Sequence, residues 1–534
     1  MSFYLFVAAI IIVACVIFHK VSGKLGIPML FAFILLGMLF GSDGLLKIPF
    51  EDYYFAEQIC TVALIFIMFY GGFGTNWTQA RPVALHAMIL SSFGTILTAG
   101  FVGLFCHFVL KIELIESFLL GAVISSTDAA SVFSILRLRR LNLKDGTASL
   151  LEVESGSNDP FSYMLTILML SLMNGSASGV DFILLVLKQI VFGAIFGVVI
   201  ASLAGIFIKK ITLSDGFDGI FLVSVAVLAY SLPMLVGGNG YLSVYITGII
   251  LGNRKIVNKQ GLVHFFDGIT GLMQMILFFL LGLLSFPSQL PNVILPAFAI
   301  SIFLTFAARP ISVFLLSAPF KCSLRKLIVI SWSGMRGAAS IVFAILTVID
   351  SAFTQNDIFH IVFFIVLFSI LIQGSLIPVV AKKLNMTDDD SDVMKTFTDY
   401  VDEYPVQYMQ FAIPEDHSWV GKKVKELELP PECLLVLIVR DKNKHVPRGN
   451  TVVNGGDVMI LSGKASEHID GVNLYEKIIL SGDEWENKTI HEISTDEKLI
   501  IMIQRNKHTI IPRGNTKLLK GDVLVINELS EVTY

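Results

Sequence analysis

Asp128, Glu154, Asp159 and Arg336 are ionisable residues set inside otherwise apolar stretches of this 534-residue chain. A charge at the bilayer centre costs about 2.5–3.5 kcal/mol even on lenient insertion scales, so such residues are candidates for function before any other consideration. Asp159 stands in VESGSNDPF. Pro160 has no N–H to give the carbonyl of Gly156, which frees that oxygen one turn from Asp159. On a helix Ser155 and Asp159 share a face, as do Glu154 and Asn158. A carboxylate, a hydroxyl and loose carbonyls make an oxygen cage for a hard cation, and the same carboxylate can hold a proton instead. Occupancy by one or the other is the least machinery that exchanges a cation for a proton.

Asp128 lies in SSTDAAS, a run of small and hydroxylated residues within an apolar span. Such residues are weak helix formers, so the helix can break there, and an unwound segment offers carbonyls and half-helix ends to a cation. Thr127 and Asp128 then serve either as ligands or as caps of the broken helix. Arg336 lies in WSGMRGAAS, and TDAASV from Thr127 aligns with RGAASI from Arg336 in two spans expected to run oppositely. That pattern predicts an inverted repeat with paired interrupted helices. At 1.5 Å per residue from the nearest loop, Asp128, Asp159 and Arg336 each lie roughly 15–20 Å deep, meeting near the midplane. Arg309, before Pro310 in another span, is expected to serve carbonyls freed at a kink.

The elements that must hold these residues are membrane spans. Charged residues make up 15% of the chain, against roughly 25% in soluble domains, and the mean hydropathy is +0.74. Stretches able to cross about 30 Å of hydrocarbon open near Phe3, Pro28, Glu57, Val83, Ile115, Leu150, Phe182, Gly219, Tyr241, Val263, Val293, Leu324 and Ile358. That is about thirteen spans. The first lacks a basic leader and reads as an uncleaved span, not a signal peptide. Basic residues fall in every second loop: Lys20 and Lys24, Arg81, Arg137, Arg139, Arg140 and Lys144, Lys209 and Lys210, Arg254, Lys255 and Lys259, Lys321, Arg325 and Lys326, Lys382 and Lys383. The loops between carry Asp43, Glu51, Asp52, Glu113, Glu116, Asp181, Asp350 and Asp357. The positive-inside rule then places the N-terminus outside and the C-terminus in the cytoplasm of a plasma or inner membrane protein.

The expected fold is an all-α polytopic membrane domain over residues 1–386, an acidic linker at 387–400 with Asp388, Asp389, Asp390 and Asp392, and a small α+β cytoplasmic domain at 401–534. That last domain repeats itself at about 401–465 and 470–534, since VLIVRDKNKHVPRGNT…GGDVMIL returns as IMIQRNKHTIIPRGNT…KGDVLVI. Pro447 and Pro512, Arg448 and Arg513, Asn450 and Asn515, and Asp457 and Asp522 are paired by the duplication. Each copy reads as a hairpin followed by a Gly-Asp turn that opens another strand. Arg448 and Arg513 are candidate contacts for an anionic ligand, or braces of their Pro-Arg-Gly-Asn turns.

SSTDAASVF, ESGSNDP and GMRGAAS, in that order, resemble the signature segments of the cation–proton antiporter superfamily in its NhaP-like branch, over residues 3–384. The resemblance implies an ion site at Asn158 and Asp159, with Asp159 as shared ligand and proton carrier, Thr127 and Asp128 in the unwound crossover, and Glu154 with Arg336 as a structural ion pair. Relatives often have an acidic residue where this chain reads MFYGG with Tyr70. Asn158 stands where electrogenic relatives have a second aspartate, which implies electroneutral exchange. The tail resembles the TrkA-C half of the RCK module in two copies, without the nucleotide-binding Rossmann half. It implies control by a small ligand of the cyclic di-AMP class, by protons or by the cation, and tilts the substrate towards K⁺ over Na⁺.

The expected partners are K⁺ or Na⁺, H⁺, membrane lipid and a second copy of the chain; no nucleic acid, cofactor or metal is expected, and the protein is not read as an enzyme. Nothing resembles the TVGYG filter of a potassium channel, a Walker A loop or HExxH, and an organic substrate calls for a roomier, more aromatic midplane. The five cysteines are scattered and imply no disulfide framework. His19, His86, His107, His264 and His360 are each isolated and carry no assigned role.

Overall fold

A computed structural model describes residues 9–18, 20, 29–138, 141–175, 179–211, 217–254, 256, 259–352, 354–387, 406–430, 433–440, 443–464, 473–493, 498–505 and 508–528. His19, Lys24, Arg139, Arg140, Lys255 and the acidic run from Asp388 to Asp392 lie outside the described residues. The chain divides into two compact units, Met1–Glu403 and Tyr404–Tyr534.

The first unit is helical. In chain order its helices are α1 (Ala9–Phe18), α2 (Met29–Phe40), α3 (Tyr53–Gly74), α4 (Trp77–Ile89), α5 (Thr95–Phe108), α6 (Leu114–Val123), α7 (Ala129–Leu138), α8 (Thr147–Met173), α9 (Gly179–Lys210), α10 (Phe217–Met234), α11 (Gly240–Gly252), α12 (Lys259–Leu283), α13 (Leu290–Phe303), α14 (Arg309–Ser317), α15 (Leu324–Trp332), α16 (Ala338–Ile349), α17 (Ile358–Phe368) and α18 (Ser375–Lys383). Among the described residues seven helical stretches are long and apolar enough to cross a membrane, and α1, α2, α6, α11 and α16 are shorter apolar helices. Three of the long stretches are continuous only through a π-helical turn: Leu90–Gly94 joins α4 to α5, Leu304–Ala308 joins α13 to α14, and Ser369–Gly374 joins α17 to α18. A π-turn displaces the residues after it around the helix and is common where a helix serves a site.

Between lipid-facing helices there is little hydrophobic force, and close packing relies on small residues. A Cβ on Gly72 of α3 would lie 2.5 Å from the Tyr245 carbonyl of α11, and one on Gly248 of α11 would lie 2.4 Å from the Phe69 carbonyl of α3. These glycines are helix contacts. The loops sort onto two faces. On one, the Lys144 N–H donates to the Met386 carbonyl at 2.9 Å, Leu143 bridges Thr387, and the Lys326 ammonium donates to the Asp145 carbonyl at 2.7 Å. On the other, Glu116 accepts from the Asn356 N–H at 2.8 Å, Asp350 accepts from the Asn174 amide at 2.8 Å and Asp43 accepts from the Ser288 N–H at 2.9 Å.

The second unit is built of two antiparallel sheets with one topology. Strands β1 (Val406–Ala412), β2 (Cys433–Arg440), β3 (Asn443–His445) and β4 (Val458–Lys464) lie in the order β1-β4-β2-β3; β5 (Asn473–Ile478), β6 (Lys498–Arg505), β7 (His508–Ile510) and β8 (Val523–Glu528) lie in the order β5-β8-β6-β7. Even the bulge recurs, between Leu435 and Leu437 and between Ile500 and Met502. Gly456 and Gly521 have φ of +80° and +89°, a left-handed turn that glycine takes at no steric cost, and each leads through an aspartate into β4 or β8. One-turn helices such as Ile490–Ile493 accompany the two sheets of this small domain.

Candidate functional site

The two polar segments in apolar spans interrupt their helices as their composition requires. Between α6 and α7 the backbone leaves the helix at 124–128, and between α15 and α16 at 333–337. Ala129-Ala130-Ser131 opens α7, and Ala338-Ala339-Ser340 opens α16. The breaks cross in contact: the Asp128 N–H donates to the Met335 carbonyl at 2.8 Å. A Cβ on Gly337 would sit 2.4 Å from the Asp128 Cβ, so only glycine lets them meet.

Charge at the crossing matches the half-helix dipoles, positive at N-termini and negative at C-termini. Asp128 caps α7, its carboxylate accepting the Ser131 N–H at 3.2 Å and the Ser131 hydroxyl at 2.5 Å. It lies beside Gly337 at the start of α16 as well, so one carboxylate serves two N-termini. The Arg336 guanidinium, fully buried, donates from Nη1 to the carbonyls of Ser125 at 2.7 Å and Ser126 at 2.6 Å, just past the end of α6.

Helix α8 passes beside this crossing. Asp159 stands near the middle of its 27 residues, roughly 18 Å from its start at 1.5 Å per residue. The Ser126 hydroxyl donates to Asp159 Oδ1. One face of α8 grips the break next to it: Ser155 donates to the Thr127 carbonyl at 2.8 Å, and the Asn158 amide donates to Thr127 Oγ1 at 2.5 Å. Asn158 is 1% exposed, and its Oδ1 is buried with no hydrogen-bond partner. A buried carbonyl oxygen left without a partner costs about 1–3 kcal/mol unless a cation completes it. Asp159, Asn158, Ser126 and Thr127 therefore form an oxygen-rich pocket beside the break, and Asp159 is its anionic member.

The ion pair expected between Glu154 and Arg336 is not the one made. Glu154 pairs with Arg309, at 2.6 Å, and both side chains are buried. Arg309 follows the π-turn at Leu304–Ala308 and lies over Gly334 in the second break, where a Cβ would meet its Nε at 2.6 Å. Arg336 instead binds the Ser125 and Ser126 carbonyls, and Arg309, expected to serve carbonyls freed at the kink before Pro310, binds Glu154. Each arginine therefore meets a partner other than the one sequence assigned to it.

A family description, sodium/hydrogen exchanger, transmembrane, matches residues 7–383. The chain belongs to the sodium/hydrogen exchanger family. The exchanger is 31% identical over 466 residues to the K(+)/H(+) antiporter NhaP of Alkalimonas amylolytica, covering 86% of this chain and 81% of that protein. It is 30% identical over 469 residues to the K(+)/H(+) antiporter NhaP2 of Shewanella baltica, covering 87% and 81%. The solved sodium proton antiporter MjNhaP1 from Methanocaldococcus jannaschii shares the fold, with a TM-score of 0.62 at 23% identity over 70% of this chain and 100% of that one. A TrkA-C description matches the exchanger's tail twice, at residues 408–469 and 474–527.

In the tail, the Arg448 and Arg513 side chains are exposed, while their N–H groups donate to Thr451 and Thr516, each at 2.8 Å, within the turns. The arginines that the sequence reading passed over are Arg440 and Arg505. Each grips a fully buried aspartate with two donors at 2.7 Å, Asp457 and Asp522. Their recurrence at the repeat offset was the available signal. The copies have diverged beside β1 and β5: Phe411 packs on Trp419 at 5.9 Å, where the second copy has the Lys477 ammonium 3.8 Å above Trp485.

Proposed function

We propose that the chain exchanges K⁺ or Na⁺ for H⁺ across the cell membrane, with Asp159 as the carboxylate that holds the cation and the proton in turn. The observation that carries this reading is Asp159 at mid-helix, beside the crossing of two broken helices and next to the unpartnered Asn158 Oδ1. Ser126 and the segment at Thr127 supply neutral oxygens. Asp128 and Arg336 neutralise the half-helix ends, and Glu154 with Arg309 neutralise each other, which leaves Asp159 as the group free to change its charge.

One exchanging carboxylate moves one cation against one proton and no net charge. The membrane potential, worth about 2.3 kcal/mol per charge per 100 mV, then does not drive transport. The basic loops support a cytoplasmic C-terminus and an outside N-terminus. The tail is read as a control element, with the exposed side chains of Arg448 and Arg513 as candidate contacts for a small anionic ligand, and the assembly as a homodimer. The printed names of the antiporters that match along most of the chain favour K⁺.

The test is proton flux in proteoliposomes of the purified chain, titrated separately with K⁺, Na⁺ and Li⁺, together with recording of transport current. Cation-dependent flux without steady current is expected. Flux indifferent to all three cations would remove the antiport reading, and a steady current would remove the one-for-one stoichiometry.

A further inference from the structure

The polar residues around Asp159 account for a binding site but not for how an ion reaches it from the face opposite the tail. A second polar chain lies on that side. Glu57 is a half-buried carboxylate one turn inside the start of α3. The neighbouring Tyr54 hydroxyl donates to the Ile349 carbonyl at 3.3 Å, and Tyr53 packs on Phe359 at 5.5 Å. This end of α3 therefore lies with the end of α16 and the start of α17, away from the face where Met386 and Thr387 meet the start of α8.

The Thr61 hydroxyl, one turn further in, donates to Glu57 Oε1 at 2.8 Å. Thr61 Oγ1 is also 3.3 Å from the Tyr241 hydroxyl. The single Thr61 proton is committed to Glu57, so Tyr241 is the donor, and the chain runs Tyr241 to Thr61 to Glu57. The Tyr241 ring, 2% exposed, lies 5.0 Å from Tyr163 and 5.1 Å from Tyr230. Tyr163 is on α8 at i+4 from Asp159, so it shares that residue's face one turn towards Glu57. The aromatic cluster also touches Phe343 of α16, 5.8 Å from Tyr163 and 6.1 Å from Tyr241.

Two features mark this as a path and not as packing alone. Glu57 stands at the open end of α3, and its hydrogen bond runs inward along the helix, to Thr61. The cluster also joins two groups of helices: Tyr163 and Phe343 belong to the helices that carry the crossing and Asp159, whereas Tyr230 and Tyr241 belong to α10 and α11, which pack with α3. Secondary transporters expose a midplane site by moving one such group against the other. Ring contacts of this kind are worth about 0.5–1.5 kcal/mol each, small enough to break in each cycle.

We propose that Glu57 is the outer carboxylate of the transport path, drawing the monovalent cation to a portal that Tyr163, Tyr230 and Tyr241 close in this conformation, one turn from Asp159. This rests on the antiport reading above and adds a residue that acts on one face only. The experiment uses the full chain in right-side-out and everted vesicles, with the cation varied on one face at a time. Glu57→Gln is expected to raise the KM for the cation about threefold or more at the face opposite the tail, with the KM at the tail face and the kcat unchanged, a loss of binding without loss of the transport step. Glu57→Asp restores the outer KM, and Tyr241→Phe, which keeps the ring and removes the hydroxyl, shifts it in the same direction as Glu57→Gln. An outer KM unchanged in Glu57→Gln while the wild type exchanges normally overturns the proposal. So does an equal shift at both faces, or a Glu57→Gln protein that fails to insert. A wild type without exchange overturns the antiport reading instead.

Discussion

Replacing Arg309 by alanine, singly and in combination with Glu154→Gln, tests which arginine Glu154 pairs with. Glu154 is 1% exposed and its contact with Arg309 is 2.6 Å, with the Arg309 side chain 4% exposed. Removing one partner of such a pair leaves an uncompensated buried charge, at a cost of about 3–5 kcal/mol. Arg336→Ala removes a different interaction, two charge-assisted hydrogen bonds to the Ser125 and Ser126 carbonyls, at about 1.5–3 kcal/mol each. Both variants are therefore destabilised, and single substitutions do not separate them. Double-mutant cycles do: the coupling of Glu154→Gln with Arg309→Ala should be about 2–3 kcal/mol, and its coupling with Arg336→Ala should be clearly smaller. The readout is thermal unfolding of the purified full chain in detergent, alongside the yield of monodisperse protein. Strong coupling of Glu154 to Arg336 and none to Arg309 would refute the assignment and restore the pairing expected from sequence.

Gly337→Ala places a Cβ 2.4 Å from that of Asp128, so it should part the crossing and lower exchange by tenfold or more (about 1.4 kcal/mol) in protein that still inserts; near-normal flux in liposomes would count against the crossing. In the tail, hydrogen bonds from Arg440 hold the Asp457 carboxyl below its usual range; burial pushes Asp522 up, but the Arg505 side chain and the Leu519 N–H outweigh it and the net shift is downward. A depressed carboxylate adds stability above its unfolded value of about 3.9 that is lost as pH falls through the lower folded value, so limited proteolysis should find the tail resistant at pH 6 and opening below about pH 4. Asp457→Asn should flatten that acid dependence and cost about 1–3 kcal/mol at neutral pH; an unaltered profile would remove the aspartate from the cause. Truncation should be made after Thr387, since Met386 and Thr387 pair with Lys144 and Leu143, and it should leave exchange intact while changing its dependence on the solution at the tail face; kinetics identical to the full chain under every such condition would end the regulatory reading.

The crossing was legible because charged and hydroxylated residues are rare in apolar spans, and TDAASV and RGAASI mark where both helices restart. Helix α8 was legible as an apolar stretch opening near Leu150 and by its motif, although, with Glu152, Glu154 and Asp159 along it, α8 is absent from the seven clearly apolar spans. The partners of Arg309 and Arg336 were not legible. Both lie in spans beside small residues, and which one reaches Glu154 depends on the π-turn before Arg309 and on the carbonyls opened at Ser125 and Ser126, neither of which has a sequence signature. In the tail the duplication was visible from Pro447 and Pro512 onward. Arg448 and Arg513 stand exposed in the conspicuous turns, while Arg440 and Arg505, at strand ends, hold the buried aspartates. Glu57 was read only as the start of a span, since its link to Tyr241 joins residues 180 or more apart in the chain.

Cation-dependent proton flux through Asp159→Asn in proteoliposomes is the most direct measurement of the site. The amide keeps the size of the side chain and can still accept from Ser126, but it cannot hold a proton at neutral pH or present a negative charge to a cation. Inserted, monodisperse protein with flux at the level of empty liposomes is the expected result. Flux at the wild-type level, with the same dependence on cation concentration, would show that Asp159 is not the carrier.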